Sequence, residues 1–410
     1  MRATIVSLAA LGLLAGTAQA AETINIAYID PLSGPGANVG EIGLKTLQWM
    51  IEQLNAAGGA NGKKFEVSAL DNKTNPQETV VQAQKAVDKG AHFLTQGNGS
   101  SVAAALSEYT IKNNERNPSK QVLYLNYATV DPNLTNEKCN FWHFRWSAHS
   151  DIKMQVLTTF LKERPNVKKV YLINQDYSFG QSVRSAARAM LKEKRPDVEI
   201  VGDELHPLLK VNDFAPYVAK IKASGADSVI TGNWGQDIAL LLKASADASL
   251  QVDWYTYYAG GVGSPTAIKQ ANIPDRVFVV VEQIANSLPP ESAKLEEEFR
   301  NKYGTFIGYP GLVNEPRMLA HAINGAKSEE PKAVAEKLEG MTFKTFSGGE
   351  GYMRKEDHQF FQDMYIANFG PLPAGAKFEE EKTGWGWKTQ GVIKAKDTEL
   401  PTTCKMDRPS

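Results

Sequence analysis

The chain has 410 residues, more than a single hydrophobic core usually serves, so we expect two domains. Its hydrophobic content of 42% and charged content of 22% are ordinary for a soluble globular protein. With 45 basic and 46 acidic side chains, it has no net field that would attract nucleic acid or a charged membrane face, so we expect no nucleic-acid partner.

The first 20 residues have the composition of a signal peptide. Arg2 gives a positive start, residues 5–14 are an apolar run, and Ala18 and Ala20 form a small-x-small cleavage signal. The run is too short for a permanent anchor, and no second run of spanning length follows. We therefore predict export, cleavage near Ala20 and no membrane insertion of the mature chain; the alternative is a buried N-terminal helix.

Strand and helix patterns alternate through the first half of the mature chain. Apolar runs between turn residues predict strands at 24–29, 65–70, 92–96 and 122–125. Amphipathic runs that end at glycine predict helices at 41–57 and 76–89, and an Ala-rich helix follows residue 101. This alternation predicts an α/β fold with a parallel sheet covered on both faces.

Residues 97–101, Gly-Asn-Gly-Ser-Ser, join a predicted strand to the Ala-rich helix. The first N–H groups of a helix have no internal partners and carry partial positive charge, so this turn is a candidate anion site. Ser100 and Ser101 add hydroxyl groups that either cap the helix or bind a carboxylate. These residues alone do not decide whether the turn only caps the helix or also binds a ligand.

The alternation restarts after residue 150. Strands are predicted at 170–173, 198–201, 228–231, 254–258 and 277–281, with helices between them, so we expect a second lobe similar to the first. The final third has predicted helices at 291–303, 314–328 and 331–338 but one strand near 363–368, too few for a third sheet. We therefore expect this part to return to the first lobe and cross back to the second, which leaves a hinged cleft.

The residues show no sign of catalysis, a metal or a cofactor. The six histidines have no metal-ligand spacing, and the chain lacks a Gly-x-x-x-x-Gly-Lys-Ser/Thr loop and a Gly-x-Ser-x-Gly elbow. We therefore predict no catalytic residues, no metal ligands and no cofactor.

Cys139 and Cys404 are the two cysteines of the chain. Export favours a disulfide between them, which would tie the C-terminal tail to the middle of the chain. Two free buried thiols are the alternative.

Several short motifs follow one another in an order and spacing typical of one family. They are Ile-Ala-Tyr-Ile-Asp-Pro-Leu-Ser-Gly-Pro at 26–35, Asn-Ala-Ala-Gly-Gly at 55–59, Asp-Asn-Lys-Thr-Asn-Pro at 71–76, the 97–101 loop, Ala-Thr at 128–129, Asn-Leu-Thr at 133–135, Phe-Arg at 144–145 and Asn-Gln-Asp-Tyr-Ser-Phe-Gly at 174–180. Over residues 21 to about 370 the chain resembles the branched-chain amino-acid type of periplasmic solute-binding protein of ABC importers. That resemblance implies a periplasmic protein with the type I periplasmic-binding fold: two doubly wound parallel-sheet lobes joined by a multi-strand hinge.

The resemblance also implies a ligand-binding cleft that closes without chemistry. In the family, loops after the third and fourth strands of the first lobe hold the ligand's carboxylate. The corresponding positions here are Gly99, Ser100, Ser101, Tyr127, Ala128 and Thr129. Loops of the second lobe close over the other face of the ligand, and their positions here are Tyr177, Phe179, Trp234, Tyr258 and Gly260.

The chain departs from the amino-acid binders where those proteins hold the ligand ammonium. Gly260 or Gly261 stands in place of their glutamate, and the tryptophan of leucine-specific members is replaced near Val39. A buried ammonium without a counter-charge is costly. Either the ligand has no amino group, or Glu282 or Asp176 supplies the negative charge that its ammonium needs. An amino acid and an aromatic or aliphatic acid are therefore both compatible with the sequence.

We predict lobe 1 from residues 21–146 and 283–350, lobe 2 from 147–282 and 351–385, and a tail, 386–410, tied back by the disulfide. The predicted function is the substrate-binding component of an ABC importer, which captures a small carboxylate-bearing ligand and delivers it to the permease subunits. The alternative is a secreted sensor of the same fold that acts on a receptor.

Overall fold

The computed structural model describes residues 23–409, and the predicted signal peptide at 1–20 lies outside that range. The first lobe is built on five parallel strands in the order β2-β1-β3-β4-β5. These strands are β1 Thr23–Asp30, β2 Lys64–Asp71, β3 Phe93–Gln96, β4 Leu123–Asn126 and β5 His143–Arg145. The helices between them are α1 Ala37–Ala56, α2 Pro76–Asp88 and α3 Ser100–Arg116.

The second lobe repeats this plan with five parallel strands in the order β10-β9-β8-β6-β7. The strands are β6 Lys169–Gln175, β7 Glu199–His206, β8 Ser228–Thr231, β9 Asp253–Thr256 and β10 Val277–Val281. The helices are α4 Ser150–Leu161, α5 Ser178–Lys194, α6 Ala215–Ala223, α7 Gln236–Asp247 and α8 Ser264–Ala271. Central strands such as β10 are apolar on both faces because helices cover both sides of a parallel sheet.

The chain then returns to the first lobe, as expected. The helices here are α9 Pro290–Tyr303, α10 Pro310–Ala326 and α11 Pro331–Leu338, and Leu312, Met318 and Ile323 of α10 join the core of the five-stranded sheet. Three short strands follow: β11 Thr342–Lys344, β12 Glu350–Met353 and β13 Phe360–Phe361, which form a small antiparallel sheet. The expectation of too few strands for a third sheet is wrong, because strands of two to four residues are too short to show an alternating pattern.

The last two strands extend the second sheet. β14 Met364–Pro371 pairs antiparallel with β10, and β15 Trp385–Ile393 pairs antiparallel with β14. Residues 386–393 therefore belong to this sheet and not to the predicted tail, which corrects the boundary at 385/386. Gly386, Gly391 and a register shift in the pairing interrupt the alternation that would otherwise have revealed the strand.

The chain crosses between the lobes three times, and the crossings are bonded to one another. The backbone N–H of Arg145 donates to the His358 carbonyl at 2.9 Å, and the Gln359 side chain donates to the Ser147 carbonyl at 3.0 Å. The crossing at Glu282, the second in chain order, is bonded to the first, because the Glu282 carboxylate accepts from the Ser147 hydroxyl at 2.8 Å. Three bonded crossings fit the predicted multi-strand hinge.

The C-terminal segment runs back to the first lobe through the predicted disulfide. Cys139 and Cys404 are bonded, with a Cα–Cα distance of 5.7 Å. The Thr402 hydroxyl donates to the Thr135 carbonyl at 2.9 Å, so hydrogen bonds accompany the covalent link. Within residues 23–409, no helix combines the length and the apolar character needed to cross a bilayer.

Replacing both cysteines, Cys139→Ser with Cys404→Ser, should lower the free energy of unfolding. The bond links residues 265 positions apart, and the loop-entropy account gives roughly 5 kcal/mol for so long a closed loop. Urea denaturation of the double variant measures the loss, and the wild-type protein in reductant should match the variant. An unchanged unfolding midpoint in both would mean that the bond does not stabilise the fold.

Candidate functional site

Two adjoining cavities lie between the lobes, where loops follow the carboxyl ends of strands from both sheets. The small cavity is bounded on the first lobe by residues 97–100 and 128–130, and on the second by Tyr177, Phe179, Trp234 and Tyr258. The large cavity, of about 170 Å³, shares Ala128, Trp234, Tyr258 and Tyr309 with it and continues toward the hinge and α9. The two cavities are therefore neighbours that share one set of walls.

The first-lobe wall of the small cavity is the turn between β3 and α3. Gly99 is the N-cap of α3 with φ +91°, a conformation that favours glycine, and it has no side chain to cap the helix. Gly97 has no room for a larger residue, because a Cβ there would lie 2.4 Å from the ring of Tyr127. Ser100, the first residue of α3, is buried and lines the cavity. The turn thus presents the uncapped N-terminus of α3 and one hydroxyl group to the cavity.

The carboxylate of Asp30, at the end of β1, binds this turn through hydrogen bonds to its backbone N–H groups. The carboxylate accepts hydrogen bonds from the backbone N–H groups of Gly97 at 3.0 Å and Asn98 at 2.9 Å, and from the Tyr127 hydroxyl at 2.7 Å. Burial raises the pKa of Asp30 to about 7, although these three donors act to lower it. Because Asp30 takes the first two N–H groups of the turn, an incoming anion has to use those from Gly99 onward.

Thr129 and Ser100 differ in whether their hydroxyl proton is already used in a hydrogen bond within the protein. The backbone N–H and the hydroxyl of Thr129 both donate to the side-chain oxygen of Asn126, at 2.8 and 2.6 Å. The single hydroxyl proton of Thr129 is therefore already used in this arrangement. No hydrogen bond of the Ser100 hydroxyl is found among residues 23–409, so Ser100 is the hydroxyl donor free for a ligand.

Aromatic side chains form the second-lobe wall. The indole N–H of Trp234, which follows β8, donates to the Tyr177 hydroxyl at 2.7 Å, so the two rings fix each other. Phe179 packs with its ring centroid 5.8 Å from that of Tyr177 and 6.1 Å from that of Tyr258. This wall offers flat apolar surface opposite the polar turn of the first lobe.

Glu282 lines the large cavity, but its charge is already neutralised. Its carboxylate lies 2.9 Å from the Lys153 ammonium and accepts from the backbone N–H of Ala148 at 3.0 Å. Burial acts to raise the pKa of Glu282, but Lys153 and the hydrogen bonds outweigh burial and hold the pKa below its ordinary value. We therefore do not assign Glu282 to a ligand ammonium; its carboxylate joins two crossings of the hinge.

Asp176, the other candidate for that charge, lines neither cavity. It is exposed, and its carboxylate accepts from the Gln181 side chain at 3.0 Å on the surface of the second lobe. The suggestion that Asp176 faces a ligand ammonium is therefore wrong.

The comparisons with known proteins agree with this architecture. The sequence profile of the periplasmic binding protein family matches residues 23–375. The chain belongs to this family. The predicted resemblance and the predicted fold class are thereby confirmed.

Individual relatives of this periplasmic binding protein match it over nearly its full length. Leu/Ile/Val-binding protein homolog 4 of Brucella abortus (strain 2308) is 32% identical over 416 residues, which cover 98% of this chain and 97% of that protein. The closed crystal structure of the leucine-, isoleucine-, valine-, threonine- and alanine-binding protein from Brucella ovis has a TM-score of 0.82 at 30% identity and covers 95% of this chain and 100% of that one. A solute-binding protein of an ABC transporter from R. palustris, in complex with benzoate, has a TM-score of 0.79 at 16% identity, with coverage of 94% and 100%, a likeness that shows the fold alone.

The structure brings most of the residues predicted from the sequence to the two cavities. Those at the small cavity are Gly99, Ser100, Ala128, Thr129, Tyr177, Phe179, Trp234 and Tyr258, and those at the large cavity alone are Tyr127, Gly260 and Glu282. Ser101 is exposed and lines neither, because successive residues of a helix point about 100° apart. That the lining residues bind a ligand stays a prediction.

Sequence reasoning did not assign four residues of the small cavity to the site: Gly97, Asn98, Val130 and Tyr309. The Tyr309 hydroxyl donates to the Asn98 side-chain oxygen at 2.9 Å, and the Tyr309 ring packs edge-on against Tyr127 at 5.1 Å between centroids. Asn98 lies inside the loop that the sequence singled out, so a signal for it existed. Tyr309 precedes α10 more than 200 residues later, and no motif marks it.

Replacing Tyr127 with phenylalanine should destabilise this protein more at high pH than at low pH. Stability that comes from protonated Asp30 is fully present below its ordinary pKa of 3.8 and is lost as the pH rises through about 7. Above pH 7 the Tyr127 hydroxyl donates to a charged group, so we expect a loss of about 2–3 kcal/mol there and about 1 kcal/mol near pH 5.

Urea denaturation at the two pH values measures these losses. Tyr257→Phe is the matched control, because the buried Tyr257 hydroxyl donates to the neutral Ser150 carbonyl at 2.9 Å and its loss should be similar at both pH values. Equal losses in Tyr127→Phe at both pH values would contradict the role of Asp30.

Proposed function

We propose that this protein is the exported substrate-binding component of an ABC importer, which captures a small carboxylate-bearing solute between its lobes and delivers it to the permease subunits. One observation carries the proposal: the small cavity lies between the uncapped N-terminus of α3, with Ser100, on one lobe and the Tyr177–Trp234 pair on the other. A polar wall and an aromatic wall on opposite lobes suit a ligand that has an anionic head and an apolar body.

The carboxylate is proposed to lie in the small cavity, because backbone N–H groups at a helix N-terminus and the Ser100 hydroxyl are donors suited to an anion. The apolar body then extends past Ala128 and Tyr258 into the large cavity, whose walls include Val281 and Ile284. The Brucella relatives carry names of amino-acid binders, and the R. palustris protein was solved with benzoate. Glu282 is neutralised by Lys153, and no acidic side chain of the described residues 23–409 lines the small cavity, which favours a ligand without an α-ammonium, such as an aromatic or aliphatic acid.

Binding is proposed to work by closure alone. The ligand contacts both walls, so it stabilises the arrangement in which the lobes are close together, and the three bonded crossings provide the hinge. We propose no catalytic turnover. The predicted signal peptide, residues 1–20, supports a periplasmic location, from which a loaded protein reaches the permease by diffusion.

Replacing Ser100 with alanine should weaken the binding of benzoate, or of leucine if leucine is the better ligand, by about 1–3 kcal/mol, because a hydrogen bond to a charged group is lost. Isothermal titration calorimetry measures this change. Ser101→Ala is the matched control: it removes the same group from the neighbouring residue, which is exposed and outside both cavities. Equal affinities in wild type and Ser100→Ala would rule out the proposed carboxylate site.

Deleting the gene should abolish uptake of the acid that binds best in calorimetry. Plasmid copies of the wild-type and Ser101→Ala proteins should restore uptake, whereas Ser100→Ala should restore it only at higher concentrations of the acid, because its affinity is lower. Accumulation of the labelled acid in washed cells is the measurement. Normal uptake in the deletion strain, together with loss of a transcriptional response to the acid, would instead favour the sensor function.

A further inference from the structure

The far end of the large cavity carries two carboxylates and one guanidinium. Glu296 and Arg300 lie on α9 of the first lobe, and Glu380 lies on the loop between β14 and β15 of the second. The guanidinium of Arg300 lies 2.5 Å from the Glu296 carboxylate and 2.9 Å from Oε1 of Glu380. When both carboxylates are ionised, this cluster has a net charge of −1.

One oxygen of the cluster has no hydrogen-bond donor. Oε2 of Glu380 is buried and unpaired among residues 23–409, and the Glu380 side chain is 7% exposed. Arg300 donates to Glu296, to the Glu379 carbonyl and to Oε1 of Glu380, but none of its N–H groups donates to Oε2. An unpaired buried carboxylate oxygen is costly, and burial raises the pKa of Glu380 to about 7 despite the neighbouring guanidinium.

The loop that carries Glu380 is held on both sides of this residue, and the Glu380 side chain is held by Arg300 at Oε1. Before it, the Asn286 side chain accepts from the backbone N–H of Phe378 at 2.9 Å and donates to the Phe378 carbonyl at 2.8 Å. After it, the Glu381 carboxylate accepts from the backbone N–H and the hydroxyl of Thr266, at 2.9 and 2.6 Å. The unpaired oxygen therefore belongs to a side chain that lines the large cavity and whose loop is fixed.

We propose that Glu380 binds a primary ammonium at the end of the ligand remote from its carboxylate, so that the preferred ligand class is an ω-amino carboxylate. This inference rests on the proposed function, which puts the carboxylate in the small cavity. An ammonium supplies both the donor that Oε2 lacks and the positive charge that neutralises the cluster. An α-amino acid cannot do so, because its ammonium is one carbon from the carboxylate, whereas Glu380 lines the large cavity and not the small one.

The test compares straight-chain ω-amino acids of increasing length with fatty acids of the same carbon number. In the wild-type protein, calorimetry should find one chain length at which the amino acid binds at least about tenfold more tightly than its amine-free partner. Glu380→Gln should reduce that preference to within about threefold, because the neutral amide no longer compensates the ammonium charge. Glu297→Gln is the matched control on α9: its carboxylate pairs with Lys377 outside the cavity, so the preference should persist.

Two outcomes would overturn the inference, and they are distinguishable. If the fatty acids bind the wild-type protein but no ω-amino acid exceeds its partner, or if Glu380→Gln keeps the preference, the ammonium site fails while the carboxylate site stands. If neither series binds, the inference fails, and calorimetry with benzoate and leucine shows whether the proposed carboxylate site fails with it. Should Glu380→Gln not fold in a thermal-denaturation check, a crystal structure of the wild-type protein with the best ω-amino acid decides: the inference requires the ammonium within hydrogen-bond distance of Glu380 Oε2.

Discussion

The cleft depends above all on the carboxylate of Asp30. It binds the first two N–H groups of the β3–α3 turn and the hydroxyl of Tyr127, so one side chain at the end of β1 positions the loops that follow β3 and β4. Because those N–H groups are occupied, the turn can only offer a ligand the donors that follow, at Gly99 and Ser100. Burial raises the pKa of Asp30 to about 7, so the group that holds the first-lobe wall changes its charge near neutral pH.

At the hinge, a second buried carboxylate, that of Glu282, likewise joins separate parts of the chain. Glu282 binds Lys153 of α4 and also Ser147 and Ala148 of the first crossing, so it joins connections that are far apart in sequence. A buried carboxylate with these partners is a structural group, and it would lose them if it turned toward a ligand. Among residues 23–409, no acidic side chain lines the small cavity, where the carboxylate is proposed to bind, whereas Glu380, with an unpaired oxygen, lines the far end of the large cavity.

Most of the fold was predictable, and most of the site with it. Long periodic runs identified the parallel strands and their helices, and the polar and aromatic residues at the strand ends fell on the cavity walls because parallel strands put their carboxyl ends at one edge of a sheet. Short or interrupted elements were missed: β11 to β13 are two to four residues long, and glycines break the pattern of β15. Ser101 and Ser100 look alike in sequence, and only the helix turn separates the exposed residue from the buried one.

By itself the sequence determined the class of the fold and indicated the loops that line the cavities, because periodicity, turn residues and motif order are local properties of the chain. It favoured a disulfide between the two cysteines, and the structure shows the bond. Only the tertiary structure decided which charged side chains are paired inside the protein and which have an unpaired atom. Lys153 reaches Glu282 across 129 positions, and Arg300 reaches Glu380 across 80. No local pattern records such pairings, because the free energy of a buried charge is set by the groups that the fold brings beside it.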